Sequence, residues 1–182
     1  MQKQALIIID LQKEYATTGQ LPLTGIEQAV DNAAQVLEAA RAQGMPVFHI
    51  RHEFLDPDIP FFRPNTEAVE ILEKVAPQGQ EPVIVKNHVN AFRDTNLKQL
   101  LDEQDIKKLI IVGAMSHMCV DAAVRAAADF GYEVTVLHDA CATLDLEFDG
   151  VKTPAPEVHA AMMAAFEFGY GQVISTQDYL NS

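Results

Sequence analysis

Three residues of the sequence have side chains suited to hydrolytic chemistry and stand at comparable places in the chain. Asp10 directly follows the apolar run ALIII, Lys86 follows PVIV, and Cys119 comes shortly after LIIVGA, where a helical pattern begins. Free backbone N–H groups and the positive end of the helix dipole favour the thiolate of a cysteine in that position. Side chains of these three types supply a base, a cation and a nucleophile if they meet.

Each of the three also has a structural interpretation when it is taken alone. An aspartate after a strand commonly forms or caps a turn, and a lysine at a strand end commonly extends into solvent. A free cysteine is often a small buried hydrophobe in a helix that packs on a sheet. A catalytic role therefore depends on whether the fold brings the three side chains to one place.

The pattern of elements predicts a fold that does so. Short aliphatic runs typical of buried strands alternate with longer stretches of helical periodicity. The predicted strands are residues 5–9, 46–50, 82–85, 109–112, 134–137 and 172–174. The predicted helices are residues 25–43, capped by Thr24, and 66–76, 95–103, 116–130 and 156–168. This alternation predicts an α/β fold, a three-layer Rossmann-like domain around a six-stranded parallel sheet.

Long connections follow three of these strands, at residues 52–64, 87–94 and 139–155. In a parallel sheet these exits share one edge, where open α/β sheets bind ligands. In the doubly wound order 3-2-1-4-5-6, strands 1 and 4 flank the switch point, which places Asp10 beside Cys119. Aromatic residues in the long loops either line a pocket for a small, partly apolar ligand or pack beneath the loops.

The composition narrows the range of partners. Thirteen basic and twenty-six acidic residues among 182 give a net charge of −13, which makes nucleic acid and anionic membrane surfaces poor partners. The sequence has no apolar run of the roughly 18–20 residues that a membrane span needs. We expect a single domain over residues 1–182, located in the cytoplasm, with Cys119 and Cys141 as free thiols. The sequence has no dinucleotide or phosphate-binding glycine motif, so we expect no cofactor.

The blocks ALIIIDLQKEY, VIVKNHVNAFRDTNL and VGAMSHMCVDAAVRAAADFGYEVTVLHDAC resemble the signature blocks of the isochorismatase-like cysteine hydrolases. That superfamily includes nicotinamidases, N-carbamoyl amide hydrolases and streptothricin-hydrolase-like enzymes. The resemblance implies a catalytic triad of Asp10, Lys86 and Cys119 in a sheet of order 3-2-1-4-5-6. It also implies a cis peptide between Ala114 and Met115, an oxyanion hole formed by the backbone N–H groups of Met115 and Cys119, and a homodimer or homotetramer.

The expected function is hydrolysis of the C–N bond of a small amide, lactam or carbamoyl compound, without a metal. In this hypothesis Cys119 forms a thioester, Asp10 is the general acid and base, and Lys86 stabilises the thiolate. Two alternatives stay open: a nicotinamidase with an altered metal site, and a binding protein that keeps the fold without catalysis. The complete triad argues against the second alternative.

Histidines after the second strand bear on the metal. Nicotinamidases hold a metal through an Asp-x-His sequence and a further histidine, whereas here the stretch reads HIRHE, with His49 and His52 three residues apart. On an extended strand these two point to opposite faces, so no metal site is expected. His52 is interpreted as a pocket hydrogen-bonding group or a structural histidine, and His117 and Phe92 are the other candidate substrate-binding residues.

The block around Cys141 has a structural interpretation. Cys141 lies in DACAT after the fifth strand, on the same edge of the sheet as the candidate site. Asp145, Glu147 and Asp149 follow it and form either a solvated acidic loop or an attraction for a cationic substrate. This block is similar to that of the streptothricin-hydrolase-like branch, whose substrates are cationic.

Overall fold

The computed structural model describes residues 2–182, and strands alternate with helices along most of the chain. The strands are β1 (Gln4–Ile9), β2 (Val47–His52), β3 (Val83–Lys86), β4 (Lys108–Ala114), β5 (Glu133–Ala142), β6 (Leu146–Phe148), β7 (Val151–Thr153) and β8 (Gln172–Ile174). The helices are α1 (Ile26–Ala42), α2 (Leu97–Glu103), α3 (Cys119–Asp129), α4 (Ala155–Gly169) and α5 (Thr176–Leu180). Among the described residues, no helix is both long and apolar enough to cross a membrane.

Six strands form one sheet in the order β3-β2-β1-β4-β5-β8, and every neighbouring pair is parallel. β8 is the sixth strand of this sheet in chain order because β6 and β7 pair with each other outside it. The predicted three-layer α/β fold and the order 3-2-1-4-5-6 are therefore confirmed. The switch point lies between β1 and β4, whose carboxyl ends open on the same edge.

The sheet is covered on both faces because alternate residues of each strand pack under different helices. Ile7 and Ile9 of β1 belong to the core that also contains the apolar residues of α2, α3 and α4. Leu6 and Ile8 belong to the core on the other face, with the apolar side of α1. The strands nearest the site are thus fixed by packing from both sides.

The helix predicted over residues 66–76 is wrong. The segment contains only two short 3-10 turns, Glu67–Val69 and Glu73–Val75. Between them the backbone pairs with the segment after β1: Lys13 N–H donates to the Glu70 carbonyl, and Leu72 N–H donates to the Leu11 carbonyl, both at 2.9 Å. These hydrogen bonds to a distant segment outweigh the local helical periodicity.

The start of α1 also differs from the prediction. Its N-cap is Gly25, at φ 72°, instead of Thr24. Thr24 N–H donates to the Thr143 carbonyl at 3.0 Å in an isolated antiparallel bridge. Glycine adopts the left-handed conformation of the cap at no steric cost.

Residues 139–155, predicted as a loop, contain strand structure. β5 continues to Ala142, and after a register shift Gly113 of β4 pairs with Cys141. β6 and β7 then form an antiparallel hairpin. Its residue Phe148 is 85% exposed.

Candidate active site

Asp10, Lys86 and Cys119 meet in one buried cluster. Lys86 Nζ lies 2.8 Å from Asp10 Oδ2 and 3.2 Å from Cys119 Sγ. The three residues are 0%, 1% and 5% exposed, respectively. A carboxylate, an ammonium and a thiol are therefore in mutual reach, away from bulk water.

The carboxyl edge of the sheet positions these side chains. Asp10 directly follows β1, where its N–H donates to the Ile50 carbonyl of β2 at 3.0 Å. Its backbone is left-handed, at φ 51°, a conformation that aspartate tolerates better than most residues. Lys86 is the last residue of β3, and Cys119 is the first residue of α3.

A glycine that sequence reasoning missed sets the approach of β1 to β4. Gly113 pairs with Ile9, the residue before Asp10. A Cβ atom on Gly113 would lie 2.1 Å from the Ile9 carbonyl oxygen, and its φ is 134°. Only glycine fits this contact. Its signal was a glycine inside the apolar run LIIVGA, which marks close backbone approach in a strand.

The charges of the cluster are strongly coupled. Burial raises the pKa of Asp10 although the Lys86 charge opposes the shift. Burial and the Asp10 carboxylate raise the pKa of Cys119 to about 12, again against Lys86. Burial lowers the pKa of Lys86, but the charge of the neighbouring Asp10 carboxylate opposes burial, and the pKa of Lys86 is raised. A raised pKa of Cys119 favours the thiol at rest. A base must therefore take its proton when substrate binds, which is the role expected of Asp10.

His52 is a fourth member of the cluster. Its Nδ1 lies 2.9 Å from Lys86 Nζ. Its backbone is held by the fully buried side chain of Gln12, which accepts from His52 N–H at 2.8 Å and donates to its carbonyl at 3.0 Å. Burial lowers the pKa of His52 to about 3. Sequence reasoning found His52 but not Gln12, whose partner is 40 residues away.

An aromatic wall lies beside His52. We use this term for Tyr15, Phe54, Phe61 and Phe62. The ring centroids of Phe54 and Phe62 lie 4.3 and 5.5 Å from that of His52, both edge to face. Tyr15 and Phe62 belong to the core beneath α1, and Phe54 and Phe61 pack against it, so the loop aromatics follow the packing alternative. The wall also gives the cluster an apolar side.

The backbone before Cys119 has the conformation that the resemblance implies. The peptide bond between Ala114 and Met115 is cis. Among the described residues, the N–H groups of Met115 and Cys119 donate no hydrogen bond to another backbone group. Both are therefore free to bind an oxygen of a ligand.

The other two candidate substrate-binding residues have different surroundings. His117 is half-buried, two residues before Cys119, and its Nδ1 lies 2.6 Å from Thr143 Oγ1. Phe92 packs instead on Phe130 and Tyr132, with ring centroids 5.3 and 6.4 Å away. Phe130 directly follows α3, at the helix end opposite Cys119. The structure does not bring Phe92 to the cluster.

His49 and His52 both lie within β2 and do not fit the nicotinamidase metal site. His49 Nε2 lies 3.0 Å from Glu81 Oε2, whereas His52 Nδ1 faces the Lys86 ammonium. Nowhere in residues 2–182 do three or more His, Cys, Asp or Glu side chains form a group that could hold a metal ion. Cys141, at 7% exposure, is buried in the sheet, and burial raises its pKa to about 12.

Comparison with known proteins agrees with this arrangement. The family described as the isochorismatase domain matches residues 4–178. The chain belongs to the isochorismatase family. The family resemblance of the three sequence blocks is thereby confirmed.

Members of the isochorismatase family resemble the chain over nearly its whole length. The isochorismatase family protein YddQ of Bacillus subtilis is 45% identical over 176 residues, 97% of this chain and 98% of that protein. A crystal structure from Oleispira antarctica assigned to the isochorismatase hydrolases has a TM-score of 0.95 and 50% identity, and the match covers 99% of this chain and 97% of that one. Over a shorter stretch, an N-carbamoylsarcosine amidase from Arthrobacter is 31% identical over 147 residues, 71% of this chain and 56% of that protein.

Proposed function

We propose that the chain is a cysteine hydrolase that cleaves the C–N bond of a small amide, lactam or carbamoyl compound. The observation that carries the proposal is the position of the Lys86 ammonium, 2.8 Å from Asp10 and 3.2 Å from Cys119 in a buried cluster. The amidase among its relatives supports an amide as the substrate class. All catalytic groups in the proposal belong to this chain.

In the first half-reaction the Cys119 sulfur attacks the carbonyl carbon and its proton passes to Asp10. The raised pKa of Asp10 makes it a stronger base than an ordinary aspartate, which suits it to a thiol with a pKa of about 12. The Lys86 ammonium stabilises the negative charge that develops on sulfur. Asp10 then gives the proton to the nitrogen and the C–N bond breaks. Ammonia or an amine departs, and the acyl group stays on Cys119 as a thioester.

The second half-reaction restores the enzyme. Asp10, again a carboxylate, takes a proton from water, and the resulting hydroxide attacks the thioester carbonyl. The C–S bond breaks, the proton returns from Asp10 to sulfur, and the carboxylic or carbamic acid is released. Each half-reaction passes through a tetrahedral oxyanion that the N–H groups of Met115 and Cys119 bind.

The aromatic wall and the burial of the cluster support a small substrate with an apolar part. His52, beside the aromatic wall, and His117, two residues before Cys119, are the proposed polar substrate-binding residues. We leave Phe92 out of the proposed substrate site because its ring packs at the other end of α3.

The chain is also proposed to form a homodimer or homotetramer. Phe148 and Phe168 are 85% and 95% exposed, and burying such rings between copies removes apolar surface from water. Light scattering after size-exclusion chromatography measures the mass; a monomer at all concentrations rejects the assembly.

The test of function is ammonia release from a panel of small primary amides and carbamoyl compounds, with nicotinamide included. Lactams, which release no ammonia, are followed by mass spectrometry of the ring-opened amino acid. Cys119→Ala is the test variant and Cys141→Ala the matched control, since Cys141 is the other buried cysteine. Activity lost only with Cys119 supports the proposal. Release from nicotinamide that depends on trace metal favours the altered nicotinamidase. Binding of panel compounds without turnover favours the non-catalytic alternative.

A further inference from the structure

Lys86 has a buried neighbour that takes no part in the proton transfers of the proposed reaction. His52 Nδ1 lies 2.9 Å from Lys86 Nζ, alongside the contacts of the same nitrogen with Asp10 and Cys119. An ammonium has three N–H donors and no acceptor. Since the ammonium can only donate, Nδ1 of His52 acts as the acceptor.

This contact fixes the tautomer of His52. A neutral imidazole carries one ring proton, and since Nδ1 accepts, the proton lies on Nε2. The ring stays neutral at ordinary pH because burial and the Lys86 charge lower its pKa to about 3. His52 therefore presents a neutral N–H donor on the side of the ring away from Lys86.

That donor has no partner inside the protein. His52 is 3% exposed, and among the described residues its Nε2 makes no hydrogen bond. Its other close neighbours include the rings of Phe54 and Phe62, which offer no strong acceptor. Buried donors are nearly always paired, so an unpaired one requires a functional role or a bound water or ion. This donor lies beside the cluster where substrate binds in the proposed reaction, so the substrate is the partner with a functional reason to be there.

We propose that His52 determines specificity: its Nε2–H donates a hydrogen bond to a second acceptor on the substrate, while its Nδ1 positions Lys86. The preferred substrate then carries a carbonyl oxygen, a carboxylate or a ring nitrogen near the amide that is cleaved. A cationic group of the substrate at the same place would offer only donors, so it could not accept the hydrogen bond from Nε2–H. This deepens the proposed function and rests on it for the kinetic readout, whereas the tautomer and the binding preference do not depend on turnover.

The first experiment measures the tautomer. Long-range 1H–15N NMR of the histidine rings, assigned with His52→Asn, reports which nitrogen carries the proton. We expect the Nε2–H form, unchanged down to about pH 5. A proton on Nδ1, or titration near the ordinary histidine range, overturns the positioning role.

The second experiment measures binding in the Cys119→Ala background, with probes that differ in one acceptor. Nicotinamide and benzamide differ in a ring nitrogen, and N-carbamoylglycine and ethylurea differ in a carboxylate. We expect the acceptor-bearing member of each pair to bind about tenfold more tightly, the effect of one hydrogen bond. Equal binding within both pairs overturns the proposal.

Two substitutions separate the roles of the ring. In His52→Asn, Oδ1 can replace Nδ1 as the acceptor for Lys86, but the distal donor is gone. In His52→Gln, the amide N–H can reach the Nε2 position, but Lys86 loses its near acceptor. We expect His52→Asn to remove the preference within each pair and to raise KM more than it lowers kcat. We expect His52→Gln to keep the preference and lower kcat.

The control is His88→Asn, since the His88 ring is 38% exposed and paired with Asp94 outside the cluster. It should keep the preference for acceptor-bearing probes. A preference that survives in His52→Asn contradicts the role of Nε2–H, even if turnover is confirmed. A preference without any turnover supports the role of His52 and contradicts the hydrolase.

Discussion

Glu14 accepts a hydrogen bond from the backbone N–H of Phe62 at 2.8 Å, and so ties the segment after β1 to the loop after β2. Its other oxygen accepts from Gln20 N–H at 3.1 Å, and the residue is fully buried. Phe62 in turn packs on Tyr15 and His52. One carboxylate outside the cluster thus holds the aromatic wall against it.

Glu14→Gln should therefore loosen the wall. The amide replaces one carboxylate oxygen by a donor, so one buried backbone N–H loses its acceptor. We expect the free energy of unfolding in urea to fall by about 1–3 kcal/mol, and kcat/KM to fall with it. Glu67→Gln is the control, since that side chain is 83% exposed. Equal losses in the two variants would contradict the role of Glu14.

Gly113→Ala should disturb the approach of β1 to β4. The added Cβ would lie 2.1 Å from the Ile9 carbonyl oxygen, so the backbone next to Asp10 must move. Overpacking of this kind costs about 1–3 kcal/mol or more. Gly44→Ala is the control, because Gly44 also has a positive φ but no atom within 4 Å of its Cβ position. The midpoint temperature of thermal unfolding should fall further in Gly113→Ala than in Gly44→Ala. Similar decreases in the two variants would show that only the positive φ matters.

The raised pKa of Asp10 should set the acid limb of the pH–rate profile. Its pKa is raised by burial, and the carboxylate is the form that acts as a base. kcat/KM should therefore fall as the pH decreases through a value above the 3.8 of an ordinary aspartate. Asp10→Asn should lower kcat/KM by about 10²–10⁴-fold, the usual contribution of a general base. An acid limb at or below the ordinary value would contradict this assignment.

Lys86→Met should move the same limb to higher pH. The ammonium favours the Asp10 carboxylate, and without it burial acts unopposed on the pKa of Asp10. Lys98→Met is the control, since Lys98 is exposed and pairs with Asp102. The measurement is the pH–rate profile of both variants. An acid limb at the same pH in Lys86→Met as in the unchanged protein would contradict the effect of Lys86 on the pKa of Asp10.

The low pKa of His52 predicts a loss of stability in weak acid. It is about 3 in the folded protein, against 6.5 for an ordinary histidine. Between these values the unfolded chain binds a proton that the folded protein does not. Stability from this group is therefore present above about pH 6.5 and lost as the pH falls toward about 3, by about 1.4 kcal/mol per pH unit.

Urea unfolding between about pH 7 and about pH 5 measures this slope. In His52→Asn the change in stability between about pH 7 and about pH 5 should be smaller by about 2 kcal/mol. His88→Asn removes only the weakest of the three influences on the pKa of His52, so it should alter this change far less. Equal slopes in all three proteins would mean that His52 is protonated in the folded state.

The cluster could be predicted from the sequence because each of its members has a local signal. Asp10, Lys86 and Cys119 are polar or reactive residues at the ends of apolar runs, and the alternation of elements brings those ends to one edge. Glu14 has no such signal, since its partner Phe62 is 48 residues away. The helix predicted over residues 66–76 failed for the same reason, because its backbone pairs with a segment far away in sequence.

Phe92 is a candidate site residue whose packing the sequence did not predict. An aromatic residue in a loop at the active edge has two places to pack, and sequence pattern does not distinguish them. In the structure the ring packs on Phe130 and Tyr132. Backbone topology is thus predicted better than the direction of a loop side chain.

The most direct test of the central claim is intact-mass detection of the acyl-enzyme with a slowly hydrolysed amide or acyl donor. The account predicts one added acyl group in the unchanged protein and in Cys141→Ala, and none in Cys119→Ala. Peptide mapping should locate that group on Cys119. Turnover that persists undiminished in Cys119→Ala, with no adduct in any of the three proteins, would contradict it.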